Sequence, residues 1–325
     1  MSTIETPAKK YLRRKCAGGH GRTSVMTVRS CPLARSARPF VAPFLLLLVA
    51  GCTHGAATVP DPGVPRTPPG AASRFAGLVG CFTMVELGTG ETVEYGGEEC
   101  DVRTSPASTF KIPNALIAVD TGVVQDENTV FRWDGKERWR ATWNRDHSLA
   151  TAMWHSTVWY FQRIAEQVGE PRYRAYLSAF QYGNADPSGD VTMFWLNDVL
   201  KISPREERRF LTALYENKLP VSPRAMTVVK KTLELRGDAI ENVRDRLPFV
   251  DQIPAGVVFS GKTGSYLPDD GPPGPLGAIG WFVGAVEKQG RTWVFVCRIR
   301  SSEEKKIGPE AAKISYEILK GEGML

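Results

Sequence analysis

Ser108 and Lys111 stand three residues apart in the stretch SPASTFKIPN, residues 105 to 114, just ahead of a run that reads as a helix. A serine hydroxyl is a weak nucleophile at neutral pH and needs a base beside it. A lysine one helical turn away shares its face and can be that base, provided the amine is neutral. Burial supplies that condition, because desolvation disfavours the ammonium form and lowers a lysine pKa by up to roughly 3 to 5 units. The pair alone is a weak signal, since an N-capping serine ahead of an exposed lysine gives the same spacing. Its neighbours along the chain carry the weight.

The stretch SGKTGS, residues 260 to 265, lies in an apolar strand, where Lys262 and Thr263 can present charge and donors to a carboxylate and Gly264 lets a substrate lie close to the backbone. Between the two stretches come HSTV at 155 to 158, QYGN at 181 to 184 and FWLND at 194 to 198. The ordered set Ser108-Thr109-Phe110-Lys111, Ser156-Thr157-Val158, Tyr182-Gly183-Asn184 and Lys262-Thr263-Gly264, together with FWLND, resembles the class D β-lactamases, the oxacillinases, over essentially all of residues 75 to 325. Class A enzymes carry an asparagine where this chain has Val158.

The resemblance implies β-lactam hydrolysis through an acyl-enzyme on Ser108. It implies that Lys111, kept neutral by Phe110, Val158, Trp195 and Leu196, adds CO2 or bicarbonate carbon to become a carbamate that serves as base for acylation and deacylation. The Trp195 indole would steady it. The backbone N–H groups of Ser108 and Ser265 would form the oxyanion hole. Ser156 would relay a proton to the leaving nitrogen, Lys262 and Thr263 would hold the substrate carboxylate, and Val158, Leu196 and Gly264 would line the site. Tyr182-Gly183-Asn184 reads as a structural turn. One departure stands out: the family's carboxylate-clamping arginine falls, by register, near Ala311, and neither Arg298, Arg300 nor Lys305 matches its place.

Other chemistries fail on inventory. Only His147 and His155 fall in the folded part, with no H-x-H or H-E-x-x-H spacing, so the sequence predicts no metal site, and no G-x-S-x-G nucleophile elbow occurs. His155 reads as a packing or surface histidine. Two alternatives share the motif set: the sensor domains of β-lactam-responsive membrane receptors, which acylate and stay acylated, and cell-wall peptidases. Such sensors follow several transmembrane helices, whereas here there is one short apolar segment.

The elements that must position these residues read as strand, helices, strand. GCFTMVELGTGETVEYG gives a hairpin around Gly88 and Gly90, residues 112 to 250 are mostly helical in period, and GVVFSGKTGS, AIGWFVGAVEK and TWVFVCRIR are strands, the last two joined by QGR, before a closing helix AAKISYEILK. An α+β fold follows, with an antiparallel sheet built from both chain ends, flanking helices and an inserted helical region. The resemblance implies the arrangement shared by β-lactamases and penicillin-binding transpeptidases. The Pro/Gly-rich loop 264 to 281 follows Lys262-Thr263-Gly264 and is expected to tune selectivity among β-lactams.

Of the 41 basic residues nine fall within residues 1 to 51, against one of the 35 acidic ones, so the remainder carries 32 against 34. A near-neutral body argues against a nucleic-acid partner. The basic prefix reads as targeting. FVAPFLLLLVAGC, residues 40 to 52, is too short for a comfortable span and suits a signal-peptide core, giving a segment 1–51 that exports the chain to the periplasm. Leu48, Val49, Ala50 and Gly51 before Cys52 resemble a bacterial lipobox, which implies a lipid on Cys52 and a membrane attachment; an ordinary cleaved signal is the other reading. Residues 52–74, rich in Pro, Gly and Ala, read as a tether, and 75–325 as the folded domain. Cys297 alternates with Trp293, Phe295 and Ile299 and reads as inert packing. A turn near Thr89 and Gly90 puts Cys81 opposite residue 98 or 99. A slip or bulge would then let Cys81 and Cys100 bridge, and two free thiols are the alternative.

Overall fold

The structure is a computed structural model that describes residues 65–267, 277–302 and 307–325. The leader, Cys52 and most of the tether lie outside the described residues, as do 268–276 of the Pro/Gly-rich loop and Lys305.

Regular structure begins ahead of Phe75. Helix α1, Ala71–Phe75, buries Ala71 and Phe75, and Arg66 exchanges backbone hydrogen bonds with Thr92 and Glu94. A tether running to residue 74 is therefore too long at its C-terminal end. Residues 65 to 70 cover the free edge of strand β2, whose unpaired backbone groups would otherwise face solvent.

Strands β1 (Val79–Glu86) and β2 (Thr92–Tyr95) open the chain, a two-residue-long pair β3 (Val130–Phe131) and β4 (His147–Ser148) interrupts the helices, and β5 (Val257–Tyr266), β6 (Ala278–Lys288) and β7 (Arg291–Ser301) close it. The main sheet has the order β2-β1-β7-β6-β5 and is antiparallel throughout, so the first strand is stitched to the last. Gln289 and Gly290 form the two-residue β6–β7 turn, both at positive φ (51° and 75°), as a primed hairpin turn requires.

The inserted region supplies α2 (Lys111–Asp120), α3 (Leu149–His155), α4 (Val158–Val168), α5 (Glu170–Phe180), α6 (Pro204–Tyr215), α7 (Pro223–Leu233) and α8 (Asp238–Val243). Helix α9, Ile307–Gly321, packs back on β6 and β7. Trp281, Val283, Val294 and Val296 join the helical core on one face of the sheet, while Phe282, Phe295, Cys297 and Ile299 join α9 on the other. Burial on both faces explains why β6 and β7 read as nearly continuous apolar runs. Ser203 and Glu206 close a capping box on α6, with Pro204 inside its first turn.

Cys81 and Cys100 are bridged, with Cα atoms 5.1 Å apart. The route differs from a slipped hairpin. Phe82 pairs with Tyr95, which puts Cys81 opposite Gly96, and the single turn Gly97–Cys100 folds the second cysteine back over the first. Gly96, at φ 115°, permits this: a Cβ there would lie 2.3 Å from the Gly80 carbonyl oxygen. For a separation of 19 residues the chain-entropy account gives the bridge roughly 3 kcal/mol.

Glu207 on α6 is wholly buried. Burial pushes its carboxyl up to about 8, the Tyr182 hydroxyl beside it pulling the other way. Neither carboxyl oxygen nor that hydroxyl closes a hydrogen bond of good geometry. The folded protein keeps this proton up to about pH 8, whereas the unfolded chain gives it up near 4.5, so the folded state binds more protons between those values and stability falls as pH rises through that window. Glu207→Gln should be the more stable protein at pH 8 to 9, by on the order of 3 to 5 kcal/mol, and lose that advantage at pH 4 to 5. Denaturant midpoints for both proteins across this range check it; parallel curves would refute it.

Candidate active site

The turn Ala107–Phe110 is 3₁₀ and runs directly into α2, whose first residue is Lys111. Side chains three apart eclipse in a 3₁₀ turn, and here Lys111 Nζ donates to Ser108 Oγ at 2.7 Å. Ala107, just before the serine, is fully buried at φ 47°, a left-handed conformation that costs a non-glycine residue of order 1 to 3 kcal/mol and persists only where its surroundings impose it. Ser105 supplies those surroundings. Its Oγ donates to the Trp195 carbonyl at 2.9 Å and accepts from Ala107 N at 3.3 Å, while its own carbonyl accepts from Trp281 Nε1 at 2.9 Å. Ser105 and Trp281 were not singled out by the motif reading; Ser105 signals itself only by its place in the stretch that holds Ser108, and Trp281 only by its place in a strand-like run.

Lys111 is fully buried. Burial, reinforced by the Arg140 charge, lowers its amine to about 7. The walls are aromatic: the Phe110 ring stacks on Trp195 at 5.3 Å and meets Phe194 edge-on at 5.0 Å, and Lys111 Nζ lies 5.5 Å from the centre of the Phe161 ring. Phe161, one turn along α4 from Val158, is a neighbour the motif reading missed; its signal is the i+3 spacing from Val158. Val158 and Leu196 are half-buried against the same core. Trp195 Nε1 is buried and has no acceptor among the described residues.

Ser156 sits at the joint between α3 and α4 at φ 55°, and its Oγ accepts from Lys262 Nζ at 3.0 Å. Lys262 on β5 is buried, and desolvation, followed by the charges of Lys111, Arg246 and Arg140, holds its ammonium well below the usual lysine range. Thr263 and Ser265 continue β5 opposite Phe282 and Gly280. Gly264 has a different neighbour from the one expected. A Cβ on it would meet the Pro106 carbonyl oxygen at 3.0 Å and Thr109 Cγ2 at 3.1 Å, so its bareness admits the protein's own nucleophile turn rather than making room for a substrate.

Tyr182-Gly183-Asn184 forms a turn: Asn184 Nδ2 donates to the Val199 carbonyl at 2.8 Å and its Oδ1 accepts from Lys201 N at 2.9 Å. His155 packs internally against Arg145, its Nε2 2.7 Å from an Arg145 nitrogen, and desolvation lowers it to about 4. Ala311 is fully buried on α9, and Arg298 and Arg300 both engage Glu99. The geometry thus holds the Ser108 hydroxyl against a buried amine lowered to about 7, and joins a second hydroxyl–lysine pair, Ser156 and Lys262, from two other elements.

The family model for the penicillin binding protein transpeptidase domain matches residues 80–320. Beta-lactamase OXA-48 of Klebsiella pneumoniae is 43% identical over 222 residues, 68% of this chain and 74% of that one. The crystal structure of a class D beta-lactamase from Bacillus subtilis superposes with a TM-score of 0.68 at 34% identity, covering 78% of this chain and 96% of that one. The C-terminal domain of the Bacillus licheniformis BlaR penicillin-receptor does so with a TM-score of 0.69 at 29% identity, covering 80% and 98%. The chain belongs to the penicillin-binding transpeptidase family and, within it, to the class D serine β-lactamases.

If Lys111 acts on Ser108 as a base it must be neutral, and with its amine lowered to about 7 activity should fall on the acid side of a limb near pH 7. A kcat/KM profile from pH 5 to 9 in bicarbonate-saturated buffer measures it. A flat profile down to pH 5 would contradict a lysine base.

Proposed function

We propose that the protein hydrolyses β-lactams through an ester on Ser108, with Lys111 as a carbamate acting as general base in both halves of the reaction. The observation that supports this reading is a mismatch in the site: a buried amine lowered to about 7 and a buried Trp195 N–H without an acceptor among the described residues. A neutral amine adds CO2 to give a carbamate and a released proton, which places two anionic acceptor oxygens on the residue next to Phe110, the ring that stacks on Trp195. An unmade buried donor costs roughly 1 to 3 kcal/mol, so satisfying it favours the adduct.

Lys111, so modified, takes the Ser108 Oγ proton as that oxygen bonds to the lactam carbonyl carbon. The backbone N–H groups of Ser108 and Ser265 stabilise the oxyanion. The ring C–N bond then breaks as Ser156 relays that same proton from Lys111 to the nitrogen, which leaves Lys111 a base again, and Lys262 Nζ steadies the Ser156 hydroxyl by donating to it at 3.0 Å. Thr263 orients the substrate carboxylate, with Val158 and Leu196 as apolar walls. Lys111 next activates the water that cleaves the ester, regenerating Ser108.

Lys111→Ala should therefore lose the two steps unequally. An activated lactam still acylates Ser108 slowly, whereas the ester has no base to hydrolyse it, so a stable adduct should accumulate by intact mass and Ser108→Ala should show none. Rapid loss of the adduct in Lys111→Ala would mean another residue is the base. The likeness to a penicillin-receptor domain favours a second reading, acylation without turnover. Stoichiometric release of product by the wild-type protein, stopping after one equivalent, would select it; many turnovers exclude it.

Export and lipid attachment at Cys52 belong to the same proposal, supported by the apolar core and small residues before that cysteine. Cys52→Ser should move the protein from the membrane fraction to the soluble periplasm, and unchanged fractionation would refute the anchor.

A further inference from the structure

Lys111, Lys262 and Arg140 share a small region, and among the described residues none of the three is paired with a carboxylate. Lys111 touches Ser108, Lys262 touches Ser156 and the Thr263 carbonyl, and Arg140 touches only aromatic rings. Nearby guanidiniums are spent elsewhere: Arg246 donates to the Trp154 and Asn242 carbonyls, and Arg298 and Arg300 engage Glu99.

Arg140 is held in a built setting. It precedes the short turn Ala141–Trp143 and lies over the Trp139 ring at 4.8 Å and the Trp143 ring at 5.3 Å. Trp139 is 80% exposed and Trp143 only 7%, so this stack leads inward from solvent. Trp143 Nε1 donates to the His155 carbonyl at 3.0 Å, and the next residue, Ser156, accepts from Lys262. The guanidinium is thereby tied to the Ser156–Lys262 pair while its own N–H donors stay unspent. Desolvation opposes the Arg140 cation, while the charge of Asp245 and the two rings favour it; its charge holds both lysines toward neutrality. Such a cluster attracts an anion, and guanidinium matches a carboxylate with paired donors.

We infer that Arg140 is the specificity-determining cation that receives the carboxylate of the incoming β-lactam, acting with Thr263 at the mouth of the site. The inference rests on the hydrolase reading and deepens it. Lys262 is committed to Ser156 and the Thr263 carbonyl and is shifted toward neutral, and Ala311 carries no charge, which leaves the permanent charge of Arg140 for this task.

A penicillin with a free carboxylate and its neutral methyl ester separate the possibilities, assayed with wild type, Arg140→Ala and Arg140→Lys. Wild type should prefer the acid by roughly 10-fold to 100-fold in kcat/KM, mostly through KM, and the preference should shrink with added salt. Arg140→Ala should lose most of it and Arg140→Lys should keep part. The ratio is taken within each protein, so any effect of the substitution on Lys111 protonation cancels. Turnover of both compounds with an unchanged acid-to-ester ratio in Arg140→Ala overturns the inference alone, whereas no turnover of either by wild type removes the hydrolase reading and the inference with it.

Discussion

A lysine amine held out of water without a counter-ion is the constraint around which the site is built. Lys111 is fully buried, surrounded by Phe110, Phe161 and the indole of Trp195, and acted on by the positive charge of Arg140. Its amine falls from 10.5 to about 7. The unfolded chain binds the extra proton between those values, so this group's contribution to stability rises with pH from about 7 to 10.5 and its full cost is present below about 7. Such perturbed groups cluster at functional sites, and this amine lies 2.7 Å from a serine hydroxyl.

The scaffold serves that contact from three directions. The sheet, closed by pairing β1 with β7, carries β5 past the Ala107–Phe110 turn so closely that a Cβ on Gly264 would meet the Pro106 carbonyl oxygen at 3.0 Å. Ser105 ties the same turn to both β6 and the Trp195 segment, and the strained Ala107 between them persists because those bonds over-determine it. The α3–α4 joint then brings Ser156 to Lys262 across a sequence separation of 106 residues. Each hydroxyl–lysine pair is therefore held by elements that cannot shift independently, the kind of positioning that a reaction would need.

Much of this was legible from the chain. Residue type and spacing single out Ser108 with Lys111 and Ser156 with Lys262, and the fold brings each of these pairs into contact; the both-ended sheet follows from where strand-like runs fall. Other features were hidden for physical reasons. The bridge at Cys81 depends on Gly96 and one 3₁₀ turn that no alternation pattern encodes, and the ordered start near Arg66 depends on an edge strand that needs covering. Phe161 and Ser105 act through tertiary neighbours rather than through a motif of their own. Gly264 shows the limit in another form: the need for a bare backbone was readable, but the object approaching it was the chain itself.

The central claim is that the Lys111 amine carries CO2 and that Trp195 holds the adduct. Carbon-13 NMR of the protein equilibrated with 13C-bicarbonate addresses it directly. The account predicts a carbamate resonance in the wild-type protein at pH 8 that is absent from Lys111→Ala and weakened in Trp195→Phe. A wild-type spectrum with no such resonance, from protein that still turns over β-lactam, would contradict it.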